Sequence, residues 1–254
     1  MIILEVTGLS KHFGGVTAVN SVDFHVSRGE IVSIIGPNGA GKTTLFNLIS
    51  GVAGPDSGSI KYNGEEIGGM PPDRIAVLGV TRTFQNLQIF RNMTVVENVM
   101  VGAHRLGRKG LLQAGVRWPG VASEESFIYG RAIAALELVG LGEKKDMPAE
   151  ILPYGEQRLL EIARAMALEP DLILLDEPAA GMNQGETNGL GELISRFPEM
   201  GTSVLLVEHN MEMVMAVSHR IVVLDHGSKL AEGTPLEIQQ DSRVISAYLG
   251  EEVF

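Results

Sequence analysis

The sequence predicts an α/β fold with a mostly parallel sheet, helices on its faces, an antiparallel β flank and a helical subdomain. Three observations indicate this fold. Short apolar runs alternate with helical patterns through the second half of the chain, as in repeated β-α-β units. The apolar run at residues 31–35 leads directly into a glycine-rich loop and a helical pattern. The earliest runs alternate apolar with polar residues, which is typical of half-buried antiparallel strands.

The first part of the chain is predicted to hold four strands and one helix. Residues 22–26 alternate in polarity, as a strand with one buried face does. Arg-Gly-Glu at 28–30 indicates a turn, and Gly51 ends a helical pattern. The predicted strands are 2–6, 22–26, 31–35 and 59–62, and the predicted helix is 42–50.

From about residue 95 the pattern becomes helical and then alternates between strand and helix. Residues 105–121 are the least regular part of the chain. The predicted helices are 95–104, 124–139, 157–167, 186–197 and 211–216, and the predicted strands are 172–175, 203–207 and 221–224.

Composition excludes several classes of protein. With 254 residues, 44% hydrophobic and 20% charged, the chain has an ordinary globular composition and is long enough to bury a sizeable core. The absence of cysteine excludes disulfides, thiolate metal sites and cysteine nucleophiles. A net charge of −11 argues against a nucleic-acid partner, because the phosphate backbone requires a basic face. We also expect no membrane span and no signal peptide.

A phosphate-binding loop is predicted at residues 36–43, which match G-x-x-x-x-G-K-[ST] between a strand and a helix. The glycines allow backbone N–H groups to point at an anion, and the helix N-terminus adds positive charge. Lys42 can reach the β- and γ-phosphates, and the Thr43 hydroxyl can bind Mg²⁺. The chain is therefore predicted to have a P-loop NTPase core, whose nucleotide-binding residues are Gly36, Pro37, Asn38, Gly39, Ala40, Gly41, Lys42, Thr43 and Thr44.

Two carboxylates follow the apolar run at 172–175. Asp176 is predicted at the carboxyl end of a parallel strand, where ligands bind, and can hold the Mg²⁺ shell through water. Glu177 is placed to polarise an attacking water.

The order of these motifs resembles that of ATP-binding subunits of ABC transporters. The resemblance implies that Phe13 stacks on adenine, and it assigns Val19 to the same nucleotide site. It also implies that Gln85 senses Mg²⁺ and the γ-phosphate, and that His209 contacts the γ-phosphate. Glu177, His209 and Gln85 are then the catalytic residues, Thr43, Gln85 and Asp176 are the magnesium residues, and ATP and Mg²⁺ are the cofactors.

The family's signature, Leu-Ser-Gly-Gly-Gln, corresponds here to residues 152–156, Leu-Pro-Tyr-Gly-Glu. The resemblance implies that Tyr154, Gly155 and Glu156 complete the ATP site of a second ATPase subunit. Pro153 replaces the usual serine and has neither a hydroxyl nor an N–H, so the remaining donors are backbone N–H groups at the helix start. This substitution is expected to weaken the contact with the γ-phosphate.

Further motifs resemble the larger ATPase of branched-chain amino-acid importers: Leu-x-Tyr-Gly-x-Gln-Arg, Ala-Ala-Gly-Met-Asn and Glu-His-x-Met. The resemblance implies a single ABC ATPase domain over 1–254, with a nucleotide-binding core at 1–86 and 160–254 and a helical subdomain at 87–159. It implies a second ATPase subunit and two permease subunits as partners, and indirectly a substrate-binding protein. The expected location is the cytoplasmic face of the inner membrane.

Alternatives stay open from the sequence. ATPases of urea or amide uptake and of lipid export share much of this pattern, and a soluble ABC-type ATPase is another class. The resemblance implies that Leu87, Ile89, Phe90 and Met93 form a groove for a permease helix, although apolar residues at that spacing also fit an ordinary core. The basic segment 105–119 suits a membrane partner or anionic lipid, and it equally suits a solvated loop.

Overall fold

A computed structural model describes residues 1–83, 87–103 and 121–249, and its strands form two sheets. The predicted glutamine Gln85 and the basic segment 105–119 lie outside the described residues. The strands are β1 (Ile2–Phe13), β2 (Val16–Ser27), β3 (Ile31–Ile35), β4 (Ser57–Tyr62), β5 (Glu65–Glu66), β6 (Val80–Arg82), β7 (Leu172–Asp176), β8 (Ser203–Val207), β9 (Arg220–Asp225) and β10 (Ser228–Gly233).

Helices cover the faces of the larger sheet, and short 3₁₀ turns lie at 142–144, 149–151 and 198–200. Among the described residues, no helix is both long and apolar enough to serve as a membrane span. The helices are α1 (Lys42–Ile49), α2 (Pro72–Val77), α3 (Val95–Ala103), α4 (Val121–Leu138), α5 (Tyr154–Met166), α6 (Gln184–Ser195), α7 (Met211–Val217), α8 (Pro235–Gln240) and α9 (Ser242–Leu249).

The larger sheet has the strand order β10-β9-β3-β8-β7-β6 and is parallel except for the edge strand β10. Strands β3, β7 and β8 are buried along their whole length, as parallel strands with both faces covered must be. Because the strands are parallel, their carboxyl ends meet at one edge of the sheet. This edge carries the P-loop after β3 and the two carboxylates after β7.

The smaller sheet is antiparallel in the order β2-β1-β4-β5, which confirms the predicted β flank. The first two strands are much longer than the runs at 2–6 and 22–26, with 12 residues each. The alternating pattern is lost in β1 because several register shifts, including one between Val6 and Leu9, interrupt its pairing with β2. A bulge of this kind moves later side chains out of the two-residue period.

Several elements have no counterpart among the predicted ones: β5, β6, β10, α2, α8 and α9. They are short or polar, so periodicity gives them little signal. Strand β10, for example, contains only two aliphatic residues, Leu230 and Ala231. It is an edge strand, so only one of its sides is paired. Tertiary pairing, not the local pattern, places it in the sheet.

Helices α3, α4 and α5 pack on one another through buried aliphatic residues, among them Val99, Leu136 and Leu160. The same hydrophobic cluster continues to one face of the parallel sheet through Ile173 and Leu206. The helical part is therefore joined to the nucleotide core by a continuous apolar interior.

Candidate functional site

The P-loop, residues 36–43, follows β3 directly, and its course requires glycine. Gly36 has φ +150°, and a Cβ atom there would lie 2.1 Å from the Leu224 carbonyl oxygen. Gly41 has φ +99°, and its Cβ would lie 2.3 Å from the Ala18 oxygen. Neither position admits a side chain, so the loop is curled tightly against β9 and β2. The loop leads into the N-terminus of α1, where unpaired N–H groups and the positive end of the helix dipole suit an anion.

Lys42 is buried, with 7% of its surface exposed, although it is charged. Its Nζ donates to the carbonyl oxygens of Gly36 at 2.6 Å and Pro37 at 2.9 Å. The ammonium therefore lies across the P-loop itself and adds a full positive charge to the partial charge of the helix N-terminus. This donor set fits a polyphosphate.

Oxygen ligands suited to Mg²⁺ are present beside the P-loop. Thr43 is exposed at the start of α1, and Asp176 is buried at the carboxyl end of β7. A hydroxyl and a carboxylate are hard oxygen donors of the kind Mg²⁺ prefers, with phosphate oxygens and water completing its shell. The residues present therefore fit a magnesium nucleotide.

Arg82, at the end of β6, was not identified as a site residue from the sequence. Its guanidinium donates to Asp176 Oδ2 at 2.8 Å, to Asn47 Oδ1 at 2.8 Å and to Ser50 Oγ at 2.7 Å. It also lies over the Phe46 ring, 5.7 Å from the ring centre. Arg82 thus ties the P-loop helix α1 to the carboxylate at the end of β7. The only sequence signal was its place just before the predicted glutamine loop.

Glu177 and His209 form a pair at the same sheet edge. His209 Nε2 lies 2.9 Å from Glu177 Oε1, and both side chains are partly accessible. The Glu177 backbone has φ +49°, a left-handed conformation that is unusual for a residue with a side chain. Its N–H donates to the Val207 oxygen at 2.8 Å, and its carbonyl accepts from the Ala180 N–H at 3.1 Å. The carboxylate is thus held at the sheet edge, beside the His209 ring.

Phe13 stands at the end of β1 with 53% of its surface exposed, and the Lys11 ammonium is 5.5 Å from the ring centre. An exposed ring of this kind can stack on a base. The strand end is fixed by Asp56, which accepts from Lys11 Nζ and from the His12 N–H, both at 2.7 Å. These bonds, first that of Lys11 and then that of His12, lower the pKa of the Asp56 carboxyl to about 2.

The prediction that Val19 belongs to the nucleotide site is wrong. Its side chain has no exposed surface and belongs to the core beneath the β flank. An apolar side chain at this inward-facing position of β2 packs inside the protein and cannot present itself to a nucleotide. The neighbouring Ala18 instead approaches the P-loop, through its carbonyl oxygen near Gly41.

The signature segment begins α5. Pro153 is the N-cap residue, and no side chain caps the helix there. A Cβ atom on Gly155 would lie 2.6 Å from Glu186 Oε1, so this glycine fits closely against α6. Tyr154 is exposed, and Glu156 pairs with Lys144 at 2.6 Å.

Most of the predicted residues therefore fall into two groups, and Phe13 and Val19, which belong to neither, lie in β1 and β2. One group contains the P-loop, Asp176, Glu177 and His209, which the strand ends bring to one sheet edge. The other group is the signature segment, which packs against α6. Gln85 is not placed in either group, because it lies outside the described residues.

A groove of about 660 Å³ lies between the nucleotide core and the helical part. Of the four residues predicted to form a groove, Ile89 and Phe90 line it, whereas Leu87 and Met93 do not. Glu161 of α5 accepts from the Gln88 N–H at 2.6 Å and so fixes the groove wall to the helix that begins at the signature. Burial raises the pKa of Glu161. The apolar lining residues include Val52, Ile75, Val80, Ile89, Phe90 and Val101.

Comparison with protein families gives two matches. A family model described as "ABC transporter" matches residues 19–180. A second, described as "Branched-chain amino acid ATP-binding cassette transporter", matches residues 228–253. The first match includes the P-loop, the signature segment and the Asp176–Glu177 pair.

Curated relatives match over nearly the full chain. The high-affinity branched-chain amino acid transport ATP-binding protein LivG of Escherichia coli is 46% identical over 250 residues, which are 98% of each chain. The corresponding protein BraF of Pseudomonas aeruginosa is 47% identical, with the same coverage.

Solved structures show the same architecture. The ADP conformation of an ATP-binding cassette of an ABC transporter matches with a TM-score of 0.86 and 31% identity, covering 98% of this chain and 99% of that one. A nucleotide-free cassette matches with a TM-score of 0.85 and 30% identity over the same shares. This likeness confirms the predicted fold class.

Proposed function

The chain belongs to the ABC transporter family of ATP-binding proteins, and on this premise we propose that it drives an importer of branched-chain amino acids. It is an ATPase whose hydrolysis is coupled to transport. The proposed substrate class rests on one observation. The chain is 46–47% identical to ATP-binding proteins of branched-chain amino acid transport, over 98% of its own length and 98% of theirs. The match of its C-terminal part to the branched-chain family model supports the same assignment.

Nucleotide binding is assigned to the P-loop and Phe13. Backbone N–H groups and Lys42 hold the phosphates, and the exposed ring of Phe13 stacks on adenine. Thr43 and Asp176 hold Mg²⁺, together with Gln85. When bound, the metal neutralises charge on the β- and γ-phosphate oxygens.

Hydrolysis is assigned to Glu177 and His209. Glu177 orients a water for in-line attack and accepts its proton, while the His209 ring, at 2.9 Å, holds the carboxylate in place and contacts the γ-phosphate. Because Asp176 is held by Arg82 and Glu177 is held by its backbone contacts, both carboxylates are fixed before substrate arrives. Such fixed groups need little rearrangement during the reaction.

A second ATPase subunit completes each site with its own signature segment. The N–H groups of Tyr154 and Gly155 and the start of α5 face the γ-phosphate bound in the other subunit, and Glu156 borders the same contact. We assign the second position to the smaller ATPase type, because the Pro153 signature offers no hydroxyl for a symmetric pair. Binding of ATP closes the pair, and hydrolysis releases it.

Two permease subunits receive this motion through the groove lined by Ile89 and Phe90. An exposed apolar groove beside polar walls suits a short amphipathic helix of a membrane subunit. The chain then lies peripherally at the cytoplasmic face of the membrane, and an external substrate-binding protein selects the amino acid.

The substrate assignment is tested with the complete transporter in proteoliposomes. ATP should drive uptake of leucine, isoleucine and valine but not of urea, and Glu177→Gln should abolish uptake while ATP binding persists. Lys42→Ala is the control that loses ATP binding as well, since loop amides alone do not replace its charged contact. Uptake of urea or short amides without leucine uptake would show that the substrate class is wrong.

A further inference from the structure

Glu208 is a buried carboxylate to which no sequence motif assigns a role. It follows the last residue of β8 and directly precedes His209, with only 4% of its surface exposed. Its Oε1 accepts from the Ala179 N–H at 2.7 Å. Its Oε2 accepts from the N–H groups of His209 at 2.8 Å and Asn210 at 3.2 Å. One side chain thus binds the backbone of two loops.

These two loops carry the reacting pair. Ala179 comes two residues after Glu177, and the other two N–H groups belong to the loop of His209 itself. The two side chains meet at 2.9 Å. A closed ring of contacts therefore runs from Glu177 through Ala179, Glu208 and His209 back to Glu177.

The backbone of Glu177 needs such support. Its φ of +49° is a left-handed conformation, which residues with a side chain keep only where their surroundings fix it. Val207 accepts the Glu177 N–H from one side, and Glu208 holds the following turn at Ala179 from the other. Strain at this position is thus maintained by contacts on both flanks.

We propose that Glu208 is a positioning residue for ATP hydrolysis, which sets the distance between Glu177 and His209. The proposal rests on the proposed function of that pair. A carboxylate is suited to this task because it has two acceptor oxygens and no donor, and hydrogen bonds to an ionised acceptor are strong. A glutamine at 208 keeps one acceptor and turns an NH₂ donor toward an N–H, so it can bind only one of the two loops.

Glu208→Gln tests this inference. We expect kcat of the complete transporter with saturating Mg²⁺-ATP to fall at least tenfold, while the Kd for a fluorescent ATP analogue changes less than twofold. The matched control is Glu66→Gln in the β flank, because Glu66 also accepts two backbone N–H groups, from Ile60 at 2.9 Å and Gly68 at 3.0 Å. The control should keep kcat within twofold of the wild type.

A double-mutant cycle separates positioning from general stabilisation. If Glu208 acts by placing the pair, Glu208→Gln should slow the His209→Ala variant by less than threefold. A further tenfold loss in that background would overturn the proposal. Glu208→Asp provides a second test if the glutamine variant does not fold, because it keeps the charge but is too short for both loops. It should show the same loss of kcat at unchanged Kd.

The measurements distinguish a wrong inference about Glu208 from a wrong proposed function. If the wild type and Glu66→Gln hydrolyse ATP, and both Glu208 variants match them, the inference about Glu208 is wrong while the proposed function stands. If the wild type itself binds no ATP and hydrolyses none, with or without its membrane partners, the proposed function is wrong.

Discussion

Arg82 and Asp176 form a buried ion pair beside the P-loop, with side-chain exposures of 8% and 3%. Removing one partner leaves the other charge buried without compensation, which costs about 3–5 kcal/mol. We therefore expect Arg82→Gln to lower the free energy of unfolding by about this amount, measured by urea denaturation. Exposed Arg74→Gln is the matched control and should change it by less than about 0.5 kcal/mol.

A second variant checks the cause of that loss. Replacing both partners, Arg82→Met with Asp176→Asn, removes the unpaired charge and should recover most of the lost stability. If Arg82→Gln alone unfolds at the wild-type urea concentration, the pair does not hold the strand ends together.

Local motifs pointed to the residues to which we assign the reaction, but not to the residues that hold them. The P-loop, Asp176, Glu177 and His209 stand out in the sequence because each lies in a short pattern at a strand end. Arg82 and Glu208 do not, because their roles come from contacts with residues 94 and 29 positions away along the chain. No window along the sequence contains both partners of such a contact.

Helix α5 starts without a side-chain cap, because its N-cap residue is Pro153. Pro153→Ser supplies an oxygen for a free N–H in the first turn, and an N-cap of this kind contributes about 1 kcal/mol. We expect urea denaturation to show a gain of this order. In the Glu177→Gln background, sedimentation with Mg²⁺-ATP should show that Pro153→Ser tightens self-association of the chain by a few-fold.

Pro153→Ala is the control for that prediction. It removes the ring without adding a hydroxyl, so it should not tighten ATP-dependent association. Equal tightening by alanine and serine would mean that backbone freedom, not the cap oxygen, limits the contact. Full dimerisation of the proline form at low micromolar concentration would contradict the weak-signature interpretation.

The end of the β1–β2 hairpin is held by Asp56, whose folded pKa of about 2 lies below its ordinary value of 3.8. A lowered pKa in the folded state contributes stability above the unfolded pKa, and this contribution is lost as pH falls toward the folded value. Asp56→Asn should therefore be less stable than the wild type near neutral pH, with a difference that shrinks between pH about 4 and 2.

Urea denaturation of both proteins across this pH range measures the difference. A difference for Asp56→Asn that stays constant down to pH 3 would mean that the charge of Asp56 does not hold the hairpin.

The fully buried strands could be predicted with their bounds, and the short or polar elements could not. Strands β3 and β8 have the predicted bounds, since a run of five buried aliphatic or small residues leaves few alternatives. Strand β6 has only three residues, Val80–Arg82, and exists because β7 pairs with it. Its identity as a strand depends on residues that lie much further along the chain.

The groove between the nucleotide core and the helical part is the surface at which we expect the ATP-driven conformational change to be transmitted to the permease. Phe90 is 45% exposed on it, so Phe90→Asp puts a charge on an apolar contact without disturbing the buried core. We expect this variant to lose at least tenfold in transport by the complete transporter. ATPase activity of the isolated chain should stay within twofold of the wild type.

Leu236→Asp is the matched control, because Leu236 is an exposed aliphatic residue of α8 that does not line the groove. It should transport normally. Normal transport by Phe90→Asp would show that the groove is not the permease contact.

The position of β3 has a consequence for biosynthesis. This strand carries the P-loop, yet its neighbours in the sheet, β8 and β9, are encoded some 170 and 190 residues later. An emerging chain thus has the loop sequence long before its supporting strands leave the ribosome, and such distant pairings form late and slowly. The protein should acquire affinity for nucleotide only when synthesis is nearly complete. A prematurely terminated chain should therefore bind no nucleotide and should not assemble into a transporter as an incomplete ATPase subunit.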